Sequence, residues 1–330
     1  MRRYLDAELP GLVTADLTAE RVVGGKSNLT YVVTDGAHRW VLRRPPIGHV
    51  LATAHDMGRE YTVIGALRPT AVPVPETVAH CPDPDVLGAP FYLMSYVEGT
   101  VYRSSVQTAA LDPTRARTVA HALMDTLADL HDVDPATVGL ADFGRPDGFL
   151  VRQLRRWRTQ LDASRGRDLP GIDALHGTLA ADVPDSGRPA IVHGDYRLDN
   201  VLVSADDRIA AVLDWEMATL GDPLTDLGVF CVYWTGLAHL PANAVTDAVT
   251  ANFPGGPELI DRYAARRKVD LSRLHWYTAF GFFKLAVIAE GIHHRYTAGQ
   301  TVGGGFDRIG EVVAPLVELG HAALAEDRGH

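Results

Sequence analysis

Between Ile191 and Val203 the chain passes from one short apolar run, through His193-Gly194-Asp195-Tyr196-Arg197-Leu198-Asp199-Asn200, into a second apolar run. The pattern reads as strand, loop, strand. A polar loop anchored at both ends by buried strands can hold Asp195 and Asn200 rigidly. A little further on, Ala210-Ala211-Val212-Leu213 repeats the arrangement, a strand ending in the carboxylate Asp214 and followed by Trp215-Glu216. The fold is therefore expected to bring two strand-end carboxylates and one amide to a common place.

The flanking sequence has two characters. From Arg21 to Arg44 short alternating runs are separated by the turns Gly24-Gly25-Lys26-Ser27-Asn28 and Thr34-Asp35-Gly36, as in antiparallel strands. A helical stretch follows from Ala54 to Leu67, then strand-like runs at Pro75 to Ala79 and Phe91 to Ser95. After Glu98-Gly99 long amphipathic patterns dominate, at Thr114 to Leu130, Gly148 to Leu161, Leu271 to His293 and Phe306 to Leu324. The expectation is an α+β protein of two lobes, a β-rich one over residues 1–97 and a mainly helical one over residues 98–330. No internal repeat or low-complexity segment interrupts it.

Composition excludes several classes. With 330 residues, 46% hydrophobic and 22% charged, the chain falls in the ordinary globular range. A net charge of -10 without a long basic tract argues against a nucleic-acid binder. No run approaches the roughly 18 apolar residues that span a bilayer, and no apolar stretch follows Arg2-Arg3 as in a secretory signal. Cys81 and Cys231 are too few and too far apart for a disulfide framework or a zinc site, and a reducing cytoplasm is the simplest setting.

Asp195, Asn200 and Asp214 suit phosphoryl transfer, which needs positioning and charge neutralisation more than covalent chemistry from the protein. One carboxylate can take the proton of an acceptor hydroxyl. The other carboxylate and the amide oxygen can hold magnesium, a hard cation that prefers oxygen ligands.

At these residues the chain resembles the aminoglycoside phosphotransferase and choline kinase group, which shares the protein kinase fold. His193-Gly194-Asp195 with Asn200 matches that family's catalytic loop, Asp214-Trp215-Glu216 its metal-binding segment, and Gly221-Asp222-Pro223-Leu224-Thr225-Asp226-Leu227 the stretch that follows. The resemblance implies a two-lobed kinase-like fold, ATP as phosphoryl donor with GTP as an alternative, and Mg2+. It implies Asp195 as catalytic base or hydroxyl-orienting group, Asn200 and Asp214 as magnesium ligands, and Asp226 as a buttress of the catalytic loop. His193 reads as a residue that fixes loop geometry by hydrogen bonding. Arg197 and Asp199, within the loop, and Glu216 are candidates for substrate contact, with a loop-stabilising ion pair the other reading of Arg197 and Asp199.

In the β-rich lobe, strand alternation puts Val41 and Arg43 on one face, where a cation reaches nucleotide phosphates. The family usually has Lys there, paired with a Glu of the next helix. Glu60 is the natural partner, and Arg43 is a departure that keeps the charge but changes its geometry. Gly25, Ser27 and Asn28 lie in the turn that would cover phosphates, although the full GxGxxG pattern is absent and an ordinary hairpin remains the other reading. Ser95, Tyr96 and Val97 fall where the lobes join, a connector whose backbone binds adenine in the family.

The partner implied is a small molecule bearing a hydroxyl; the sequence leaves its identity and the oligomeric state open. Arg152, Arg155 and Arg156 share a helical face, either simply solvated or favouring an anionic acceptor. The motifs Gly25-Lys26-Ser27-Asn28, Val41-Leu42-Arg43-Arg44-Pro45-Pro46 and His193 to Asn200 are most similar to the kinase-like domain joined to certain acyl-CoA dehydrogenases, which suggests a hydroxyacyl-CoA or related hydroxy acid. Aminoglycoside phosphorylation, and nucleotide binding without transfer as in a pseudokinase, are the alternatives. No Ala-Pro-Glu closes a segment after Asp214, unlike in a protein kinase.

Overall fold

A computed structural model describes residues 1–22, 28–46, 56–237, 240, 252–300 and 306–326. A helix, α1 (Arg2–Glu8), precedes the strands β1 (Thr18–Arg21), β2 (Leu29–Thr34) and β3 (Arg39–Arg44). Helix α2 (Met57–Leu67) and strands β4 (Thr77–Cys81) and β5 (Phe91–Ser95) complete the first lobe. The five strands form one antiparallel sheet in the order β1-β2-β3-β5-β4. Strand β1 lies before Val22, and β4 begins after the expected Pro75. A proline has no N–H for a ladder, and the first backbone bond to β5, from the Ser95 N–H to the Glu76 carbonyl, comes one residue after it.

The period of two sorts this sheet's side chains. Trp40, Leu42, Phe91 and Leu93 join Leu5 of α1 in a core on one face. Arg43 and Tyr92 are register partners and face the other way, toward α2. Helix α2 starts at Asp56, whose carboxylate accepts the Arg59 N–H at 3.0 Å. Its buried positions, Met57, Glu60, Val63, Ile64 and Leu67, follow helical spacing, so the single charged one, Glu60, is carried inward with the apolar stripe.

After the connector the chain builds α3 (Ser105–Thr108), α4 (Pro113–Asp132), α5 (Phe149–Ser164) and α6 (Ile172–Ala181). Two small antiparallel pairs follow, β6 (Ala190–Val192) with β9 (Thr219–Gly221) and, between them in the chain, β7 (Val201–Val203) with β8 (Ile209–Val212). Helices α7 (Leu224–Cys231), α8 (Gly256–Arg267), α9 (Leu274–Thr297) and α10 (Val313–Glu326) close the lobe. Helix α9, expected to be amphipathic over Leu271 to His293, is instead buried on nearly every side from Trp276 to Gly291, against α5, α6, α7 and α10, because this stretch is apolar all round. Among the described residues no helix is long and apolar enough to cross a membrane.

The connector is tied to the second lobe. Thr100 and Val203 exchange backbone hydrogen bonds of 2.8 and 2.9 Å. A side chain at Gly99 would stand 3.0 Å from the Val203 carbonyl, so glycine allows this approach. The molecule has the two-lobed protein kinase-like fold, with the loops between β6 and β7 and between β8 and β9 at the junction of the lobes.

Candidate active site

The β6–β7 loop is held from behind by one buried carboxylate. Asp226 accepts the backbone N–H groups of His193 and Gly194, each at 2.7 Å, and lies 3.2 Å from His131 Nε2. Burial would raise the Asp226 pKa, yet the His131 hydrogen bond and charge, with His193 and the Gly194 amide, outweigh it and leave the pKa lowered. Gly194 has φ +88°, and a Cβ there would meet Met217 Cβ at 2.8 Å. His193 Nδ1 accepts the Asp195 N–H at 3.2 Å, which leaves Nε2 to donate to the Leu213 carbonyl at 2.8 Å. Through that ring the loop bearing Asp195 is fixed to the strand end bearing Asp214.

The loop's own side chains converge on Asp195. Asn200 Nδ2 donates to the Asp195 carbonyl at 2.8 Å and to Oδ2 at 3.0 Å. The Asn200 carbonyl accepts the Leu213 N–H at 2.8 Å, a second link to the Asp214 segment. Arg197 Nε reaches Asp195 Oδ2 at 3.1 Å, and Arg197 Nη1 reaches Asp199 at 2.8 Å, so the loop ion pair is formed. Burial lifts the Asp199 carboxyl above its ordinary value against the pull of Arg197. The guanidinium also lies over the Tyr233 ring, 4.7 Å from its centroid.

Across the cleft, Arg43 of β3 joins both lobes. Its guanidinium contacts Glu60 Oε1 at 3.1 Å and Asp214 Oδ1 at 2.9 Å. Burial alone would lower the Arg43 pKa, but Glu60, then Tyr92 and Asp214, outweigh it, so the group stays charged. Glu60 is raised by burial despite Arg43, and its Oε1 also accepts the Trp215 N–H at 3.2 Å. Asp214 has φ +66°, a left-handed conformation that is costly for a residue with a side chain and concentrates at functional sites. The neighbouring Trp215 is buried against the His193 ring, 4.7 Å between centroids.

The remaining expected positions are more dispersed. Gly25 and Ser27 lie outside the described residues. Asn28 Nδ2 donates to Glu216 Oε2 at 3.1 Å, which joins the start of β2 to the Asp214 segment. In the connector, the Ser95 and Tyr96 N–H groups go to the carbonyls of Glu76 and Arg39, at 2.8 and 3.3 Å, and the Arg39 guanidinium stacks on the Tyr96 ring. Val97 is half-buried beside them. Arg155 and Arg156 are exposed on α5.

Two residues beside Asp195 escape sequence reasoning. Tyr233, in the turn after α7, lies under the Arg197 guanidinium, and burial, then the Asp195 charge, raises its hydroxyl pKa. Lys284, in the middle of α9, places its ammonium on the Gly194 carbonyl. Both line a cleft that opens at Asp195. The one available signal was a lone lysine within the apolar run Phe280 to Ile288.

The arrangement has relatives. A Gallus gallus acyl-CoA dehydrogenase family member 11 is 34% identical over 331 residues, covering 97% of this chain and 42% of the relative, so the chain spans about two-fifths of that protein's length. A Ralstonia eutropha crystal structure, of a protein provisionally named an aminoglycoside phosphotransferase, superposes with a TM-score of 0.84 at 28% identity, covering 98% of this chain and 97% of the other. The ternary complex of a thermostable mutant of aminoglycoside phosphotransferase APH(4)-Ia with AMP-PNP and hygromycin B has a TM-score of 0.63 at 14% identity, over 97% of both chains, and shares the fold. The profile of the phosphotransferase enzyme family matches residues 18–277, which include Arg43, Glu60, Asp195, Asn200 and Asp214 and end before Lys284, and the chain belongs to that family.

Proposed function

We propose that the chain is an ATP- and magnesium-dependent kinase that moves the γ-phosphoryl group to a hydroxyl of a small molecule. The observation that carries this reading is the chain of contacts Asp195–Asn200, Asn200–Leu213 and Asp214–Arg43–Glu60, which assembles both strand-end carboxylates and a fixed cation at the lobe junction. The fold-level likeness to a complex holding AMP-PNP supports a nucleotide in that place. ATP is the donor in this reading, with GTP the alternative.

Magnesium would be held by Asn200 and Asp214. Among the described residues no cluster of three or more His, Cys, Asp or Glu side chains could hold a metal. That suits magnesium, which binds through one or two carboxylates plus substrate phosphates rather than in an all-protein cage. With Asn200 Nδ2 turned to Asp195, its Oδ1 is the atom left for a cation, and Asp214 already has a positive charge, Arg43, at its Oδ1. The bound metal supplies neutralisation of phosphate charge.

Asp195 orients the acceptor hydroxyl and takes its proton as the oxygen bonds to the γ-phosphorus. The bond from that phosphorus to the β–γ bridging oxygen breaks and the nucleoside diphosphate leaves. Arg43, oriented by Glu60, contacts the donor phosphates, and the turn with Gly25, Ser27 and Asn28 covers them. Ser95, Tyr96 and Val97 border the base, and we place the lobe boundary at 97/98. Arg197, Asp199 and Glu216 face the acceptor side. The acyl-CoA dehydrogenase relatives favour a hydroxyacyl-CoA or related hydroxy acid as acceptor over an aminoglycoside. The pseudokinase alternative draws on Arg43 alone, yet Arg43 keeps the pair with Glu60 that a lysine would make there.

The test is nucleotide-dependent phosphorylation of candidate acceptors by wild type, Asp195→Ala and Asp214→Ala. Asp195→Ala is expected to lose turnover by about 10²- to 10⁴-fold while binding nucleotide normally, and Asp214→Ala to weaken magnesium-nucleotide binding. Near-normal turnover by Asp195→Ala refutes the assignment.

A further inference from the structure

Gly194, the residue before Asp195, has both of its backbone groups held by buried charged side chains from two different helices. Its N–H is accepted at 2.7 Å by Asp226, in the first turn of α7. Its carbonyl accepts a hydrogen bond from Lys284 Nζ, in the middle of α9. That carbonyl belongs to the peptide that leads into Asp195, and the N–H of the same peptide goes to His193 Nδ1 at 3.2 Å. Both polar ends of this peptide plane are thus fixed, one of them by Lys284.

The two helices are set against each other at glycines. A Cβ on Gly228 of α7 would collide with the Tyr277 carbonyl, and one on Gly281 of α9 would stand 3.0 Å from Val232 Cγ2 and 3.2 Å from the Gly228 carbonyl. Gly228 follows Asp226 and Gly281 precedes Lys284 by less than one helical turn, so the helices touch close to the residues that carry the two charges. This contact sets how far Asp226 and Lys284 reach toward the loop.

A lysine is costly at that depth. Burial lowers its pKa, the carboxylates of Asp195 and Asp226 act to hold the proton on, and Arg156 acts against them. Besides the Gly194 carbonyl, the ammonium has the face of Trp157, whose ring centroid lies 5.5 Å from Nζ. The space it shares with Asp195, walled by Val229, Val232, Leu285 and Ile288, is about 10 Å³, enough for one water and too little for an acceptor molecule. The ammonium therefore acts on the loop and not on substrate. A methionine would fill the same place without burying a charge, so packing alone does not account for the lysine.

We propose that Lys284 is a positioning residue for phosphoryl transfer: it holds the peptide before Asp195 from α9, while Asp226 holds Gly194 from α7, and the pair sets the direction in which the Asp195 carboxylate meets the acceptor. This role rests on the kinase reading for the reaction it serves, whereas the clamp on Gly194 is independent of that reading. Lys284 lies beyond residue 277, where the match to the family profile ends. The catalytic loop thus takes part of its geometry from a helix near the C-terminus of the chain.

The experiment combines amide hydrogen exchange, AMP-PNP affinity and steady-state ATP hydrolysis, with water as acceptor, on the full chain and on Lys284→Met, Lys284→Arg, Gly281→Ala and Ile288→Ala. In Lys284→Met, exchange over the segment from His193 to Tyr196 is expected to quicken about tenfold, with no change in α4. Its kcat is expected to fall about 10²-fold while AMP-PNP affinity and the KM for ATP stay at the wild-type values. Lys284→Arg, which keeps a charged donor, is expected to regain part of both. Gly281→Ala leaves Lys284 in place but presses α9 away from α7, and is expected to show the same pattern in smaller measure, which keeps the role testable should Lys284→Met fail to fold. Ile288→Ala removes packing from the same space and is expected to lower the melting temperature with kcat and the exchange of the loop unchanged.

Unchanged loop exchange in Lys284→Met, quickening spread evenly over the lobe, a kcat that stays near wild type, a loss of AMP-PNP affinity as large as the loss of kcat, or an equal fall of kcat in Ile288→Ala each overturns the inference. A wild type that hydrolyses no ATP and phosphorylates no acceptor counts against the kinase reading, and the exchange of the segment from His193 to Tyr196 then decides the clamp by itself.

Discussion

Arg43, on the central sheet of one lobe, reaches Asp214 of the other at 2.9 Å while its second terminal nitrogen holds Glu60 at 3.1 Å. A planar guanidinium can span two carboxylates in this way because its donors diverge from one rigid plane. A lysine presents one compact charge at the end of a shorter stem. Arg43→Lys is therefore expected to keep the Glu60 pair and loosen Asp214, raising the KM for nucleotide severalfold with little loss of stability. Arg43→Ala leaves the buried Glu60 carboxylate without its cation and is expected to cost about 3–5 kcal/mol. Urea denaturation and initial-rate kinetics on the two variants distinguish these outcomes, and equal loss of stability in both contradicts the spanning role.

Legibility in the sequence followed locality. The strand-loop-strand around Asp195 stands out because polar residues interrupt apolar runs, and its internal contacts, such as Asn200 to Asp195 five residues away, are short-range. The two-lobed fold is readable for a similar reason, since alternation gives way to helical periodicity after Gly99. Lys284 meets Gly194 across 90 residues, through the packing of α9 in the core of the lobe. Nothing in the run Phe280 to Ile288 indicates which side of that helix will face the cleft, because its apolar residues surround it. The bridge from Asn28 to Glu216 is likewise invisible, as it depends on how the lobes meet.

The buried pair behind the loop predicts a pH limit on stability. Burial lowers the His131 pKa below its ordinary value of 6.5, so the folded protein favours the neutral ring. The unfolded chain then binds a proton more readily, and this contribution to stability, full above about pH 6.5, is lost as pH falls through the folded value. Asp226, with its pKa lowered, has a contribution present above its unfolded value and lost as pH falls further. Both act in the same direction, in successive windows. Melting temperature is expected to decline from about pH 6.5 downward, and His131→Gln, which cannot titrate, to flatten the upper part of the decline. An unchanged profile in the variant refutes the assignment to His131.

Asp226→Asn is expected to do more than remove a charge. Its two oxygens accept the His193 and Gly194 amides, and an asparagine can accept with only one. One buried N–H is left unsatisfied, at a cost of about 1–3 kcal/mol. Because the affected amides set the backbone just before Asp195, kcat is expected to fall more than nucleotide affinity does. Comparing kcat with the nucleotide Kd checks this; a change confined to Kd is the contrary result.

Gly194 gives the most local prediction. Its φ of +88° is open to glycine and strained for other residues, and the space where a Cβ would sit is taken by Met217 Cβ at 2.8 Å and the Met217 carbonyl at 2.9 Å. The first obstacle is conformational and the second steric, so shortening the neighbour relieves only part of it. Gly194→Ala is expected to cost about 1–3 kcal/mol from the backbone alone, with a further loss from the contact, and to displace the carbonyl that receives Lys284. Gly194→Ala combined with Met217→Ala still carries Cβ and the carbonyl of residue 217, so the double variant is expected to recover little. Thermal denaturation of the single and double variants measures both terms, and full recovery in the double variant shows that side-chain bulk alone, rather than the left-handed turn, requires glycine before Asp195.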